Sequence, residues 1–545
     1  MAPNTTKPKQ SPSSSFIDSV ENWITQRELL VVFLCMVATA LLCIWQFNPR
    51  MSFATDDAGY VRRAFLLIDQ GNFPTYQGPL YPLFLSVFVY LFGISISLLK
   101  GISTLLLVAQ VFFFYKAFRS HMPPIVWLSV LVIMSLNPYF LYYGSYTFNE
   151  AFMLCIQALV FWLISRHWER YTNEPVQKNV GIWLLFGFLL LLLQLTKSVS
   201  VVAVLAFAVY FLIHKKWAQA GASLVSLGFW MMVYQGFLRF IIGITPSSQL
   251  EQLTRKNFYD PSQGQEDMAG YIARFTENFG NYISVHFYKI LGFRPHSFGI
   301  IGETMPDKPE ASIVLSILFI ALAIVALWKT YQHNKLALVV LLYAAAVFVV
   351  SFFALQTIWN QDRLIIPYVP YVLLGFFAAL YYWSKESKNS LASSVLAFGL
   401  LLLPLVQFPL SVKVAKSNSQ IREQVNKGYV AYGFMPSIVS FVEVSKWIGE
   451  NIPRPDTKVV TNKPEEAFMY AGGNYFERIN AKNKTADELL ALLKEGGFTY
   501  LMVDRLGANA GLAYQTLQAA YPEKLSLVVQ AGTDNGATYL FKINY

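Results

Sequence analysis

Charge is scarce in this chain. Only 14% of its 545 residues are Asp, Glu, Lys or Arg, whereas 55% are apolar; ordinary soluble domains carry about 25% charged residues. A chain this short of charge cannot cover one large aqueous surface. The shortage falls on residues 29–412, where apolar runs follow one another. Cysteine is nearly absent too. The three, Cys35, Cys43 and Cys155, each lie inside an apolar run, which excludes a disulfide framework and a spaced zinc site. No internal repeat and no low-complexity tract occurs beyond the Ser/Pro/Lys-rich start. Residues 1–28 are polar, with Lys7, Lys9 and Arg27, and lack a short apolar core with a small-residue cleavage site, so no cleaved signal peptide is expected. The net charge is +10, but the basic residues are spread over short loops. That pattern sets membrane orientation and gives no basic patch for nucleic acid.

What is present is a series of apolar runs, many approaching the roughly 20 residues that cross a hydrocarbon core of about 30 Å. They cover 29–47, 98–118, 123–141, 150–166, 180–196, 199–213, 218–245, 311–329, 336–356, 364–383 and 391–412. The sequence thus predicts a polytopic α-helical membrane protein of about 11 spans. A further run, 79–97, is ambiguous, and loop charge decides it. With that run left out and the N-terminus inside, Lys116, Arg119, Arg166, Arg170, Lys178, Lys215, Lys216, Lys329, Lys335, Lys385 and Lys388 all fall in inner loops. Only Lys197 and Arg363 fall in short outer ones. Run 79–97 is therefore read as a helix lying along or dipping into the outer face, started by Pro79 and Pro82.

Three long segments are then outside: loops of about 48–98 and 243–310, and everything from 413 to 545. The last reads as a soluble α/β domain. Helices are expected at 439–448 and 485–495, strands at 458–461 and 500–503, and a terminal strand pair, 525–530 and 537–543, around a Gly532–Gly536 turn. It shows no Ser/His/Asp set, Gly-rich phosphate loop or metal spacing.

Chemistry has to come from the few charges at the ends of the apolar runs. In the first outer loop Val61, Ala64, Phe65 and Ile68 share one face of an interfacial amphipathic helix that also carries Arg62 and Arg63. Asp56 and Asp57 stand at its start. Thr55 or Asp56 can act there as an N-cap and Asp57 as a dipole partner; a capping carboxylate is also a pre-positioned general base. Glu150 opens the fourth run, Lys197 separates the fifth from the sixth, Arg239 ends the seventh and Arg363 precedes the tenth. Ionisable groups at such depth default to function, against snorkelling for Arg239 and a local Asp362–Arg363 ion pair. His286, Lys289 and Arg294 sit in a mixed aromatic and basic stretch, suited to lipid-linked substrate or to plain interfacial anchoring.

The ordered set Asp56-Asp57-Ala-Gly-Tyr60, Gly78-Pro-Leu-Tyr-Pro82, Leu91-Phe-Gly93, Thr147-Phe-Asn-Glu150, Leu195-Thr-Lys197 and Asp362-Arg-Leu-Ile-Ile-Pro367 resembles GT-C membrane glycosyltransferases. It is most like the protein O-mannosyltransferase and lipid A aminoarabinose transferase group. The resemblance implies a glycosyltransferase using a polyprenyl-phosphate-linked sugar donor on the outer face, with Asp56 as catalytic base, Asp57 beside it and Glu150 near the same site. The acceptor would be a glycan, a lipid or a protein, and the setting a bacterial inner membrane with the C-terminal domain in the periplasm. Aminoarabinose transferases carry a Lys where Gly78 stands here. Phosphate contacts are therefore assigned to Lys197 and Arg363 first, with Arg62, Arg63, Arg239, His286, Lys289 and Arg294 as further candidates. No metal is committed: Asp56, Asp57 and Glu150 are compatible with a divalent cation, but no tight ligand motif is present. A transporter or lipid-linked glycan flippase is the competing reading, and a non-catalytic assembly subunit a third.

Overall fold

Apolar runs become helices because hydrocarbon offers backbone N–H and C=O groups no other partner. The computed structural model describes residues 16–545 apart from 77, 245–252, 259, 295–309, 387–394, 396, 397, 401, 455, 456, 534 and 535. Lys7, Lys9, Lys388, the middle of the Gly532–Gly536 turn and much of the expected 243–310 loop therefore lie outside the described residues. Among those described, seven helices are long and apolar enough to cross a bilayer: Glu28–Trp45, Ile96–Phe118, Val176–Thr196, Trp217–Ile242, Ile313–His333, Lys335–Ala354 and Phe398–Asn426. An eighth forms if Pro124–Leu136 and Pro138–Ser145, bent by 51° at Asn137, count as one. Three of the expected eleven fail that test for visible reasons. Asn149–Arg166 and Val369–Glu386 are 18-residue helices whose inward faces carry Asn149, Glu150, Gln157 and Ser384. Run 199–213 is split into a 3-10 turn, Ser198–Val202, and the short helix Ala203–Ile213.

We number α1 Phe16–Gln26, α2 Glu28–Trp45, α3 Asp56–Gln70, α4 Leu80–Phe92, α5 Ile96–Phe118, α6 Pro124–Leu136, α7 Asn149–Arg166, α8 Val180–Thr196, α9 Ala203–Ile213 and α10 Trp217–Gly236. Then follow α11 Met268–Phe279, α12 Ile313–His333, α13 Lys335–Ala354, α14 Val369–Glu386 and α15 Phe408–Asn426. With 13 residues, α4 is about 20 Å long, too short to cross, in keeping with a helix at the interface. Leu30, Phe33, Val225, Met232, Ile313 and Val314 are exposed on α2, α10 and α12, a lipid-facing belt, whereas α13 is largely buried.

The two ends of the bundle are distinguished by their charges. At one end Arg119 donates to Glu28 at 3.1 Å, and Tyr381 donates to Glu21 at 3.1 Å while Lys385 pairs with Asp18. At the other, Lys100 Nζ donates to the Asn48 carbonyl at 3.2 Å. Composition marks residues 16–26 only as part of a polar tail, yet they form the amphipathic helix α1, with Ile17 and Ile24 buried.

Close helix contacts rest on glycine. A Cβ on Gly187 of α8 would fall on the Ser226 carbonyl of α10. Gly187→Leu should force these helices apart and cost about 1–3 kcal/mol, read as a lower melting temperature in detergent; an unchanged melting temperature would contradict this packing.

The final helix does not stop at 412. α15 runs on to Asn426, and Asn418 donates to the Gln46 carbonyl at 2.6 Å. The α/β part follows as α16 Pro436–Asn451, β1 Lys458–Val460, α17 Pro464–Tyr470, β2 Tyr475–Glu477, α18 Ala486–Glu495, β3 Tyr500–Val503, α19 Asn509–Ala520, β4 Leu525–Ala531 and β5 Thr538–Ile543. The sheet order is β2-β1-β3-β5-β4, with β2, β1 and β3 parallel and β5 antiparallel to β3 and β4. Thr485 and Glu488 cap α18 reciprocally at 3.3 and 2.8 Å, a capping box readable in the sequence.

Candidate functional site

The first loop is anchored before it reaches α3. Arg50, buried, donates to the Tyr432 carbonyl at 2.7 Å and lies 4.5 Å over the Phe434 ring. Asp57 is 0% exposed. It accepts from Ser52 N at 3.0 Å, Thr147 N at 2.6 Å and Thr147 Oγ1 at 2.7 Å. One oxygen thus closes the loop on Ser52 and the other fastens it to Thr147. Asn149 Nδ2 in turn donates to the Thr196 carbonyl at 2.5 Å, bringing Lys197 into place. Asp57→Ala should orphan two buried backbone donors at about 1–3 kcal/mol each, so thermal stability should fall sharply; a wild-type melting temperature would contradict this structural role.

Asp56 faces the other way. Its carboxylate, 21% exposed, accepts from the Arg363 guanidinium. Arg363 also donates through Nε to Gln361 at 2.7 Å and lies 5.2 Å over the Phe148 ring. Beside this pair, Lys197 Nζ is 3.7 Å from Glu150 Oε1. Glu150 is 5% exposed, and its Oε2 has no hydrogen-bond partner among the described residues. The four charges share one electrostatic neighbourhood. Burial lowers the pKa of the Arg363 guanidinium, but Asp56 and Glu150 outweigh it and the net shift is upward. Lys197 is shifted downward, by burial first, with Glu150 opposing.

Asp362 does not pair with its neighbour Arg363. It accepts from His286 and, at 2.7 Å, from Lys289 Nζ. Burial would raise its carboxyl, but His286 and Lys289 hold it below the usual range. This second cluster fixes the turn that delivers Arg363.

The other basic candidates lie elsewhere. Arg62 donates to the Phe476 carbonyl at 2.5 Å and is 3.7 Å from Glu465, so it binds the C-terminal part. Arg63 donates to the Gly59 and Tyr76 carbonyls at 3.1 and 2.8 Å. Arg239 is exposed at the end of the helix that continues α10, and Arg294 donates to the Glu310 carbonyl at 2.6 Å. Neither is drawn into the four-charge group. Gly78 has φ +89°, and a Cβ there would fall on the Thr196 carbonyl; the lysine of the aminoarabinose transferases has no room at this position. Among the described residues no three His, Cys, Asp or Glu side chains are grouped to hold a metal, and Asp56, Asp57 and Glu150 each turn to a different partner.

Sequence reasoning missed Lys463 and Glu466, which touch the head of α3. Lys463 Nζ donates to the Phe53 carbonyl at 3.1 Å and to Thr55 Oγ1 at 3.2 Å, and Thr55 N donates to Glu466 Oε1 at 2.9 Å. No local signal marks them, since the contact spans the whole membrane part. Nor does the Thr55 side chain cap α3.

This chain is similar to the solved ArnT of Cupriavidus metallidurans bound to undecaprenyl phosphate. The identity is 14% over 95% of this chain and 98% of that one, with a TM-score of 0.51. The apo state of the same protein gives 12% identity, 96% and 98% coverage and a TM-score of 0.50. An Archaeoglobus fulgidus oligosaccharyltransferase tethered to an acceptor peptide gives 12% identity, 95% and 74% coverage and 0.49, too low a score to argue from. No protein-family model matches the chain, and no curated protein matches it significantly. At these identities the likeness is one of fold alone: the chain shares its overall architecture with that ArnT.

Proposed function

We propose that this protein is an inverting glycosyltransferase that moves a monosaccharide from a polyprenyl-phosphate donor to an acceptor hydroxyl. The observation that carries the reading is the convergence of Asp56, Arg363, Glu150 and Lys197 at one end of the bundle, beside an interfacial helix. Undecaprenyl phosphate bound to the structurally similar ArnT supports the donor class. The basic residues gathered at the opposite end support an outer-face site, in the periplasm of a bacterial inner membrane.

The mechanism follows from the charges. The donor phosphate takes Arg363 from Asp56 and adds Lys197, which together neutralise the charge that grows on it as the anomeric C–O bond breaks. Asp56, released, accepts the proton of the acceptor hydroxyl while that oxygen attacks the anomeric carbon from the opposite face. The sugar inverts, polyprenyl phosphate leaves, and no acid is needed. Glu150 Oε1 steadies Lys197, and Oε2 is placed to accept from a substrate hydroxyl. Asp57 holds the loop and does no chemistry. A glycan, lipid or protein acceptor fits this chemistry equally.

Titration of the purified protein with undecaprenyl phosphate in native mass spectrometry tests the donor class. A one-to-one complex that weakens in Lys197→Ala is expected; equal binding of the uncharged polyprenol would contradict it. The flippase alternative calls for a polar path at mid-depth, whereas this charged group sits at the helix ends.

A further inference from the structure

The residue before Asp56 has an unusual backbone. Thr55 has φ +62° and ψ −48°, and Asp56 N donates to the Ala54 carbonyl at 2.6 Å. A bond from residue i+2 back to residue i around a positive φ is a γ-turn of the rare, strained kind, with ideal angles of about +75° and −65°. A β-branched side chain at positive φ is a genuine outlier. Such a conformation persists only where its surroundings over-determine it, and it clusters at active sites.

The surroundings here belong to the C-terminal part. Glu466, 0% exposed, takes the Thr55 N–H, and Lys463, 3.8 Å from Glu466, takes Thr55 Oγ1 and the Phe53 carbonyl. Both stand at the start of α17, directly after β1. The rest of α3 is gripped by the same unit: Arg62 by Glu465 and Phe476, and Asp69 by Arg454 at 2.7 Å and by Tyr475. On the bundle side, Thr147 holds Asp57 and Arg363 meets the Asp56 carboxylate, both beyond the turn, whereas the side-chain contacts made to Thr55 itself come from Lys463 and Glu466.

We infer that Glu466 and Lys463 are positioning residues: they lock Thr55 in its γ-turn and so aim the Asp56 carboxylate at the reaction site. The inference rests on the reading of Asp56 as the base. Freed from Glu466, Thr55 relaxes toward negative φ, the first peptide of α3 turns, and Asp56 loses its aim. Lys197 and Arg363, which bind the donor, are untouched.

The test uses full-length protein in detergent and a panel of glucosyl, mannosyl and galactosyl polyprenyl phosphates, with the donor that the wild type turns over fastest. Glu466→Ala should lower kcat by about 10–100-fold, the scale of a displacement near 1 Å, with the donor KM unchanged within about twofold. Glu466→Gln, which still accepts from Thr55 N, should keep most activity. The double variant Glu466→Ala/Thr55→Gly should regain at least about tenfold, because glycine takes positive φ without strain. Amide hydrogen exchange of residues 53–57 should quicken in Glu466→Ala and stay slow in Glu466→Gln. If Glu466→Ala does not fold, Lys463→Met carries the same measurements.

Wild-type kcat in Glu466→Ala and Lys463→Met, or a loss that glycine does not recover, overturns the inference. Asp56→Asn measured alongside separates the two claims. A dead Asp56→Asn with a fully active Glu466→Ala removes the positioning role and leaves the base standing; a fully active Asp56→Asn removes the base, and the positioning role with it.

Discussion

Replacing Asp56 with asparagine should leave a folded, membrane-inserted protein that transfers sugar about 10²–10⁴-fold more slowly, the range a positioned general base supplies. Asp56 and its partner Arg363 are each 21% exposed, so a guanidinium that loses its counter-charge still reaches solvent. Asparagine keeps an oxygen for Arg363 and the shape of the carboxylate but cannot take a proton. The melting temperature should therefore stay near that of the wild type while kcat collapses. The adjacent Asp57 gives the opposite pattern, since its oxygens are committed to Ser52 and Thr147. Two neighbouring carboxylates thus separate by assay: one variant loses turnover, the other loses stability. The reverse assignment of losses would exchange their roles.

Arg363→Ala should cost about 10²–10³ in kcat, the usual loss when one donor to a developing oxyanion is removed, and should also raise the donor KM. Arg363→Lys should recover little, because a point charge cannot reproduce the planar fork that spans Asp56 and a phosphate oxygen. Lys197 adds a pH signature. Its ammonium is shifted downward by burial, against Glu150, so its charge is present at low pH and lost, as pH rises, earlier than for an exposed lysine. Arg363 is shifted upward and stays charged throughout. The alkaline fall in kcat should then belong to Lys197 and move to higher pH in Lys197→Arg. An alkaline limb that does not move would assign it elsewhere.

The pattern of what could be read from residues alone follows the physics. A bilayer demands uncharged runs of fixed length, so α2, α5, α12 and α13 are visible as stretches of composition. The same rule undercounts helices that never touch lipid, which is why α7 can hold Asn149, Glu150 and Gln157. It also places the end of α15 too early. Lys413, Lys416 and Asn418 break the apolar run but not the helix, which leaves the membrane part and continues to Asn426. β2, as short as β1, follows Gly472, Gly473 and Asn474 and ends on Glu477, so it lacks the β-branched pair that marks β1 in the sequence.

At the site, Asp56, Glu150, Lys197 and Arg363 could each be picked out because an isolated charge at the end of an apolar run needs a reason. Their pairing could not. Asp362 and Arg363 are adjacent and look like partners, yet the short turn that holds them sends one side chain to His286 and Lys289 and the other to Asp56. Arg62 and Arg63 are equally plausible phosphate contacts in the sequence; only the docked C-terminal part decides that Arg62 is a fastening. Lys463 and Glu466 act on a backbone conformation, and no residue type announces a γ-turn at a threonine.

Turnover decides the matter most directly. Purified protein is given a panel of polyprenyl-phosphate monosaccharides with an acceptor alcohol, and released polyprenyl phosphate and the configuration of the new glycoside are measured together. At least one donor should yield free polyprenyl phosphate and an inverted glycoside with the wild type, and almost none with Asp56→Asn. Release at the same rate from both proteins, or a product that keeps the donor's anomeric configuration, would contradict a single displacement driven by Asp56.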